Sequence, residues 1–454
     1  MKWFAAQTHI AILLGGLIVA GSPLFAADEE SADKENFQTI TTGFISGKYV
    51  IRATEFEDEK FSDQDIFGQF KVDLTAPKHN LYEAHVFGSL RSDQDGDQNH
   101  RGFFPFEDAG DISDQGSKGY LYEAHLDFNY ILPGVKQLRL GRQSGQRGEV
   151  VFYDGVAADF RFGRKFQATA YGGRTVHFHE VDPGDDQVLG AGVDFSPARQ
   201  TRFSLDYLGI KDERDFLEDE QKDRLVAFKI AQRLSETAKA TLRYRWINGE
   251  ARDFRLNSTG FLPHEFQLSI SYFQQFRAQR ELTDELSEYA YLLGTTHPYQ
   301  TLNLNLRKQF SNRYSLDLSY FRRGLVDDQN EGEFNRDYWR TLLSLHVDNF
   351  IKDNLSLSLT GEHWESEQSV NAAGADLMYR FKWGSDKAKV HAGTYYSLYK
   401  YDYYSKHDET EDVRTYYVKG QVPLFHDFSF KGSYEWEDGF DKYYTLSMGV
   451  RYDF

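Results

Sequence analysis

From about Thr41 to Phe454 the chain repeats one unit: some ten residues alternate apolar and polar, then a turn or an acidic stretch follows. In the last unit Tyr444, Leu446, Met448, Val450, Tyr452 and Phe454 occupy one parity, and Thr445, Ser447, Gly449, Arg451 and Asp453 the other. Leu302, Leu304 and Leu306 alternate likewise with Asn303, Asn305 and Arg307, and Leu355, Leu357 and Leu359 with Ser356, Ser358 and Thr360. A period of two sends the two sets to opposite faces of a β-sheet. A soluble sandwich must fill its inner faces with large apolar side chains. Here one face is small, polar or charged in unit after unit, so the apolar face is the one that meets lipid. The pattern predicts an all-β fold, a transmembrane antiparallel up-and-down barrel with a polar lumen.

The connections alternate as well. Thr75–Asn80, Leu132–Lys136, Ser196–Gln200, Ser311–Arg313, Lys352–Asn354 and His426–Asp427 are short, whereas Ser92–Lys118, Lys211–Asp223, Val326–Asp337 and Lys406–Asp412 are long and acidic. Short periplasmic turns and longer outer loops give that asymmetry. Counting hairpins yields 22 strands when Asp253–Ser258 is one, within bounds of 20–24 because Gln279–Tyr299 reads equally as a loop, an inward-folded segment or a further hairpin. An even count puts both ends of the barrel in the periplasm.

Lys2, the apolar run Ile10–Ala20 and the break Ser22-Pro23-Leu24-Phe25-Ala26 read as a signal peptide over residues 1–26. Residues 27–40 then form a short periplasmic leader and 41–454 the barrel. So brief a leader is expected to leave no room for a globular plug or a docking domain. The predicted location is the outer membrane of a Gram-negative cell.

Composition narrows the function. The chain holds 454 residues, 52 Lys+Arg against 70 Asp+Glu, and a formal charge of -18. That balance argues against nucleic acid, whose binding needs basic surface. Aromatics reach 16% while mean hydropathy is -0.62. Helical spans of roughly 20 apolar residues would not give those values together. With no Cys there are no disulfides, no thiolate metal sites and no covalent haem, and no cofactor is expected. The 14 His are scattered, and no G-x-S-x-G, H-E-x-x-H or P-loop occurs, so an enzyme is not expected.

Projecting the alternation inward gives candidate lumen residues: Glu123, Asp127, Arg139, Asp159, Arg161, Asp206, Arg243, Arg245, Arg307, Asp317, Arg323, Glu362 and Arg451. Of these, Arg139, Asp159, Arg161, Arg243, Arg245, Arg307, Asp317, Arg323 and Arg451 are taken as pore-lining. Both signs are present, and a charged lining holds water. Leu81–His85 and Leu121–His125 repeat the pentapeptide LYEAH, which sets Glu83 with His85 and Glu123 with His125 on a face. The two copies are expected near opposite ends of one antiparallel pair. On that placement they do not converge, hairpin duplication explains the repeat, and no metal site is assigned. Asp93–Asn99 has alternating acids around Gly96 but departs from the EF-hand pattern at Gln98, and reads as a solvated acidic loop.

The terminal Arg451-Tyr452-Asp453-Phe454 resembles the C-terminal signature of outer-membrane proteins, which implies that Tyr452 and Phe454 are read by the barrel assembly machinery. Gln137–Gln143 with Phe152–Val156 resembles a strand pair in alginate-export-type channels. Those channels line the lumen with arginine to pass an anionic polymer, so the resemblance implicates Arg139 and Arg161. The acidic loops here depart from it, and the polymer is not carried over. The expected function is a porin-like channel for passive movement of small polar or charged solutes. The alternative is a sleeve holding a lumen partner, such as an exported subunit or a multihaem electron-transfer cytochrome. Outer-membrane lipid and lipopolysaccharide are further expected partners; oligomeric state is not legible.

Overall fold

The computed structural model describes residues 40–454 apart from 57–58, 76–80, 95–115, 146, 179–185, 213–220, 278–296, 328–336, 366–368, 385, 398–412, 426 and 440–441. The strands run β1 Ile40–Phe56, β2 Glu59–Thr75, β3 Tyr82–Asp93, β4 Ser117–Leu132, β5 Val135–Gly145, β6 Val151–Phe162 and β7 Phe166–Thr175. They continue as β8 Gln187–Ala198, β9 Thr201–Asp212, β10 Gln221–Arg233, β11 Ala238–Ile247, β12 Glu250–Leu262, β13 Phe266–Gln275 and β14 Tyr299–Gln309. The remainder are β15 Tyr314–Leu325, β16 Tyr338–Val347, β17 Leu355–Glu365, β18 Ser369–Trp383, β19 Asp386–Ser397, β20 Val413–Pro423, β21 Phe428–Asp438 and β22 Lys442–Asp453.

Each strand pairs antiparallel with the next, and β22 returns to β1 with Phe44 opposite Asp453 and Glu55 opposite Lys442. The sheet is therefore a closed barrel of 22 strands. Asp253–Ser258 lies inside β12, as the alternation predicted. β13 pairs directly with β14, so Gln279–Tyr299 is their connection; most of it, residues 278–296, lies outside the described residues. The six short connections read from the sequence all fall on one rim, shared with the first residue of β1 and the last of β22. The four long acidic ones fall on the other. Local chemistry sets the tight turns. Asn248 and Gly249 form a two-residue hairpin with φ of 51° and 84°, the left-handed pair that matches strand twist.

The two parities separate by environment. Leu126, Leu189, Leu205 and Val418 are each half or more exposed on the outer wall, while Asp127, Asp194 and Asp253 are buried on the inner one. In β17 the inward Ser358 bonds His346 Nδ1 at 2.8 Å and the inward Thr360 meets Ser344 at 3.1 Å. Outward leucines in strand after strand form a surface that water would penalise and hydrocarbon accommodates. Toward the long-loop rim an outward salt bridge, Arg142 to Asp154 at 2.7 Å, stands above Leu140 and Val156 and marks the edge of that apolar surface.

This register yields a test by parity. Leu359→Arg places a charge on the lipid face and is expected to destabilise by about 2–4 kcal/mol if it sits near the midplane. Ser358→Arg, one residue before, is expected to leave folding intact. Urea titrations in detergent or lipid vesicles, read by heat-modifiable gel mobility, compare the two; equal losses would place the strand one residue out of register.

Candidate functional site

The lumen is not uniform. Between β5 and β6 the chain folds inward instead of bridging at the rim. Arg147 donates to Asp194 at 2.9 Å on β8, to Asp206 at 3.1 Å on β9 and to Thr169 at 3.0 Å on β7. Tyr171 donates to the Arg147 carbonyl at 3.3 Å. Gly148 accepts from Arg245 at 3.3 Å, and Glu149 takes both Arg245 and Arg252, the latter at 2.7 Å. Behind this segment lies an apolar cluster of Val151, Tyr153, Tyr171, Val188, Leu208, Ile210, Leu225 and Ala227. The Tyr153 and Tyr171 rings stack at 5.2 Å. Gly148 has φ +84°, and a Cβ there would meet Leu225 Cδ2 at 2.7 Å, so the turn needs glycine. One side of the lumen is thus filled by a latched segment pinned to β7–β12.

The buried charges beneath it are paired. Arg245 binds Asp253, which also lies 3.6 Å from Arg252 and 4.0 Å from Arg243. Asp194 accepts from Arg202 at 2.7 Å and Ser204 at 2.5 Å besides Arg147. Desolvated charges persist only with such partners.

The sequence-predicted lumen residues divide accordingly. Arg243, Arg245 and Asp206 belong to the latched sector, where they hold structure. Asp159 accepts from Thr169 at 2.5 Å. Arg139 is locked bidentate on Asp127 at 2.6 and 2.8 Å, with Glu123 close enough to act on it electrostatically. Arg161 is exposed by the short-turn rim and bonds the Gly163 carbonyl at 3.3 Å. Arg307 meets Asp317 at 3.5 Å, which also meets His346 at 3.0 Å. Arg323 stacks 4.4 Å over Tyr299, and Arg340 reaches Glu362 at 2.7 Å. Arg451 pairs with Asp453 and lies 3.9 Å over the Phe44 ring. Tyr452 stacks on Phe428 at 4.5 Å, and Phe454 exchanges both backbone hydrogen bonds with Gly43 at 2.9 and 3.1 Å.

Opposite the latched sector, β18–β22 with β1 and β2 enclose a concavity of about 980 Å³ lined by Lys48, Lys389, Lys419, Lys431, Arg451 and His391. Lys419 meets Glu435 at 3.3 Å, and His391 meets Asp376 at 3.4 Å. The alternation holds the signal for these lysines, since Lys419 follows the outward Val418, but projection picked out only Arg451 among them. The inward segment at Arg147–Glu149 had no such signal, because a five-residue connection reads as an ordinary turn.

The LYEAH expectation is corrected. Glu83 pairs with Asp127 and His85 directly with His125, their rings 4.9 Å apart. The copies stay staggered along the antiparallel pair, with Glu123 opposite Phe87 and Leu121 opposite Gly88, but the β3–β4 register brings their terminal histidines opposite each other across the strands. The acidic stretch Asp93–Asn99 lies mostly outside the described residues.

No family model matches this chain, and no curated protein does. Solved structures do. A BenF-like porin from Pseudomonas fluorescens Pf-5 is similar with TM-score 0.47 and 8% identity over 92% of this chain and 98% of that one. The translocation pore of the P pilus usher PapC is similar with TM-score 0.45 and 10% identity over 90% and 99%. OccK2 (OpdF) of Pseudomonas aeruginosa is similar with TM-score 0.42 and 9% identity over 91% and 97%.

The latch is testable. Arg147→Ala removes the cation shared by Asp194 and Asp206. A loss of about 2–3 kcal/mol is expected, at the low end for a broken buried pair because Arg202 still holds Asp194. Single-channel current at fixed voltage should rise as the segment releases. An unchanged current would show that residues 147–149 do not narrow the path.

Proposed function

We propose that this chain is a passive channel of the bacterial outer membrane, passing small polar solutes with a bias toward anions. The observation that carries the reading is the basic track of Lys48, Lys389, Lys419, Lys431 and Arg451, on the side of the lumen that the latched segment leaves open. The closed wall with an apolar outside supports membrane insertion, and a charged lining supports a hydrated path. Net charge points the other way, but it belongs largely to acidic connections between strands, such as Lys211–Asp223 and Lys406–Asp412. Fields inside a low-dielectric wall are set by the nearest groups, because exposed charges beyond about 8–10 Å are screened by salt.

The same reading includes export through residues 1–26, folding by the barrel assembly machinery and contact with lipopolysaccharide at the long-loop rim. The sleeve alternative is less well supported. The chain's own latched segment already occupies the β7–β12 side of the lumen, and the basic track gives a small anion more to bind than a haem protein of undefined surface.

Planar-bilayer recording in a salt gradient tests the reading. The reversal potential is expected to report anion preference, and Lys419→Glu with Lys431→Glu should move it toward cations while the barrel still inserts. A refolded barrel that never conducts would overturn channel function. A reversal potential indifferent to both changes would overturn the role of the track.

A further inference from the structure

We infer that the lumen carries a site for one borderline divalent transition cation, of the Zn²⁺ class, built by His85, His125 and Asp127 on β3 and β4. The β3–β4 register sets the two imidazoles opposite each other, tilted by 30°, and the ligating atoms of the three residues all lie within 4.8 Å of one another. His125 and Asp127 are almost wholly buried, and His85 is one-fifth exposed toward the lumen. Counting three residues in from Tyr82 places the site about 10 Å from the short-turn rim.

The orientation of the rings decides the matter. His85 Nδ1 lies 2.7 Å from Asp73 Oδ1, and His125 Nδ1 lies 3.3 Å from the Arg142 carbonyl. An ionised carboxylate and a carbonyl only accept, so each Nδ1 must be the donor. In the neutral imidazoles this leaves each Nε2 with a bare lone pair. Those lone pairs face Asp127, at 3.6 Å from His85 and 3.9 Å from His125. Glu83 adds a carboxylate oxygen 3.5 Å from His85 Nε2. With both rings neutral, acceptors converge on acceptors, an arrangement that a bound cation relieves, whether a proton on a ring or a metal ion between them. Among the described residues, Asp73 is bonded to the cation Lys71 and Asp127 to Arg139, while Glu83 lies beside His85 and Glu123 adds a further negative charge acting on Arg139, so the negative groups outnumber the positive ones.

The surroundings match the outer shell of a metal site. Metal-binding imidazoles donate their second nitrogen to a carboxylate or backbone carbonyl, and both of these do so. Asp127 is held by Arg139 and by Gln137 at 2.9 Å, which spares an Oδ1 lone pair for a metal and fixes its direction. Tetrahedral coordination at 2.0–2.2 Å needs ligand atoms about 3.4 Å apart, so small side-chain rotations close the site. Two imidazoles with one or two carboxylates suit zinc, nickel or copper rather than calcium or magnesium. The site does not depend on what the channel passes, and binding can be measured without conduction.

Isothermal titration of the EDTA-stripped, detergent-purified barrel with ZnCl₂ is the test. One equivalent is expected, with a dissociation constant of about 10 µM or tighter. His85→Ala and His125→Ala should each abolish this uptake. Asp73→Asn should weaken it about 10- to 100-fold, as second-shell changes do. His346→Ala, which alters another inward imidazole, should leave it unchanged. Heat-modifiable gel mobility confirms that each variant is folded. X-ray absorption of the loaded wild type, expected to show imidazole nitrogens at about 2.0–2.1 Å, reads the site without any variant. Wild-type protein that takes up no Zn²⁺ at about millimolar concentration, a double His variant with wild-type affinity, or a spectrum lacking imidazole overturns it. Failure with an intact current would leave the channel reading standing.

Discussion

The rest of the structure depends on one requirement: in hydrocarbon no backbone N–H or C=O finds water, so every one in the wall must be paired with another strand. A sheet meets this only by having no edge. The seam of β1 with β22, from Phe44 opposite Asp453 to Glu55 opposite Lys442, is therefore as binding a condition as any interior pair. Arg451 over the Phe44 ring and the Gly43–Phe454 hydrogen bonds extend the closure to the end of the last strand. Closure in turn fixes parity. With both neighbours of each strand in register, no strand can slip by one residue without turning its leucines into the lumen.

Parity then divides the chemistry. The outer wall needs little beyond apolar side chains, and it repeats. The lumen must solve a different problem on each side. Around β7–β12 most of the charges are taken out of water and survive by mutual pairing, with Arg147, Arg245 and Arg252 set against Asp194, Asp206, Glu149 and Asp253, and the half-exposed Arg202 completing the shell of Asp194. Around β18–β22 and β1 the cations face open space, where water keeps them charged at little cost. The first arrangement pins the inward segment to the wall; the second, in the proposed channel, would set the sign of the path. A net charge of -18 and a basic track in the lumen coexist because they describe different parts of the molecule.

How far this was legible follows from the same physics. The wall was legible because β22 and its kin keep apolar and polar strictly apart, and because turn lengths alternate by rim. The latched sector was not. Val188, Leu208, Ile210 and Leu225 are apolar yet point inward, while Leu189 and Leu205 are apolar and point outward. There the rule equating apolar with lipid-facing loses its contrast. The inward faces of those strands serve as the floor for a folded-in segment, and nothing in a five-residue connection announces that it will turn inward. Charge sign was readable, but a charge's surroundings were not: Arg245 and Arg451 look alike in sequence, one sealed against Asp253 and one half open to the lumen.

The paired histidines show what sets that boundary. His85 and His125 are forty residues apart and separated by a long loop. Loop length alone leaves the register of β3 against β4 free. The register is fixed instead by each strand's other neighbour: β3 is held by β2, with Asp73 opposite His85, and β4 by β5, with Gly141 opposite His125. The bulge at Phe87/Gly88 takes up the remaining residue. Gly141 matters here because its Cβ would lie 2.3 Å from the Ala124 carbonyl oxygen, so only glycine lets β5 approach β4 beside the imidazole. The meeting of the histidines of the two LYEAH copies is thus a property of the closed barrel and not of the hairpin that carries them. Chemistry that depends on cross-strand register becomes readable only once the whole ring of strands is in place.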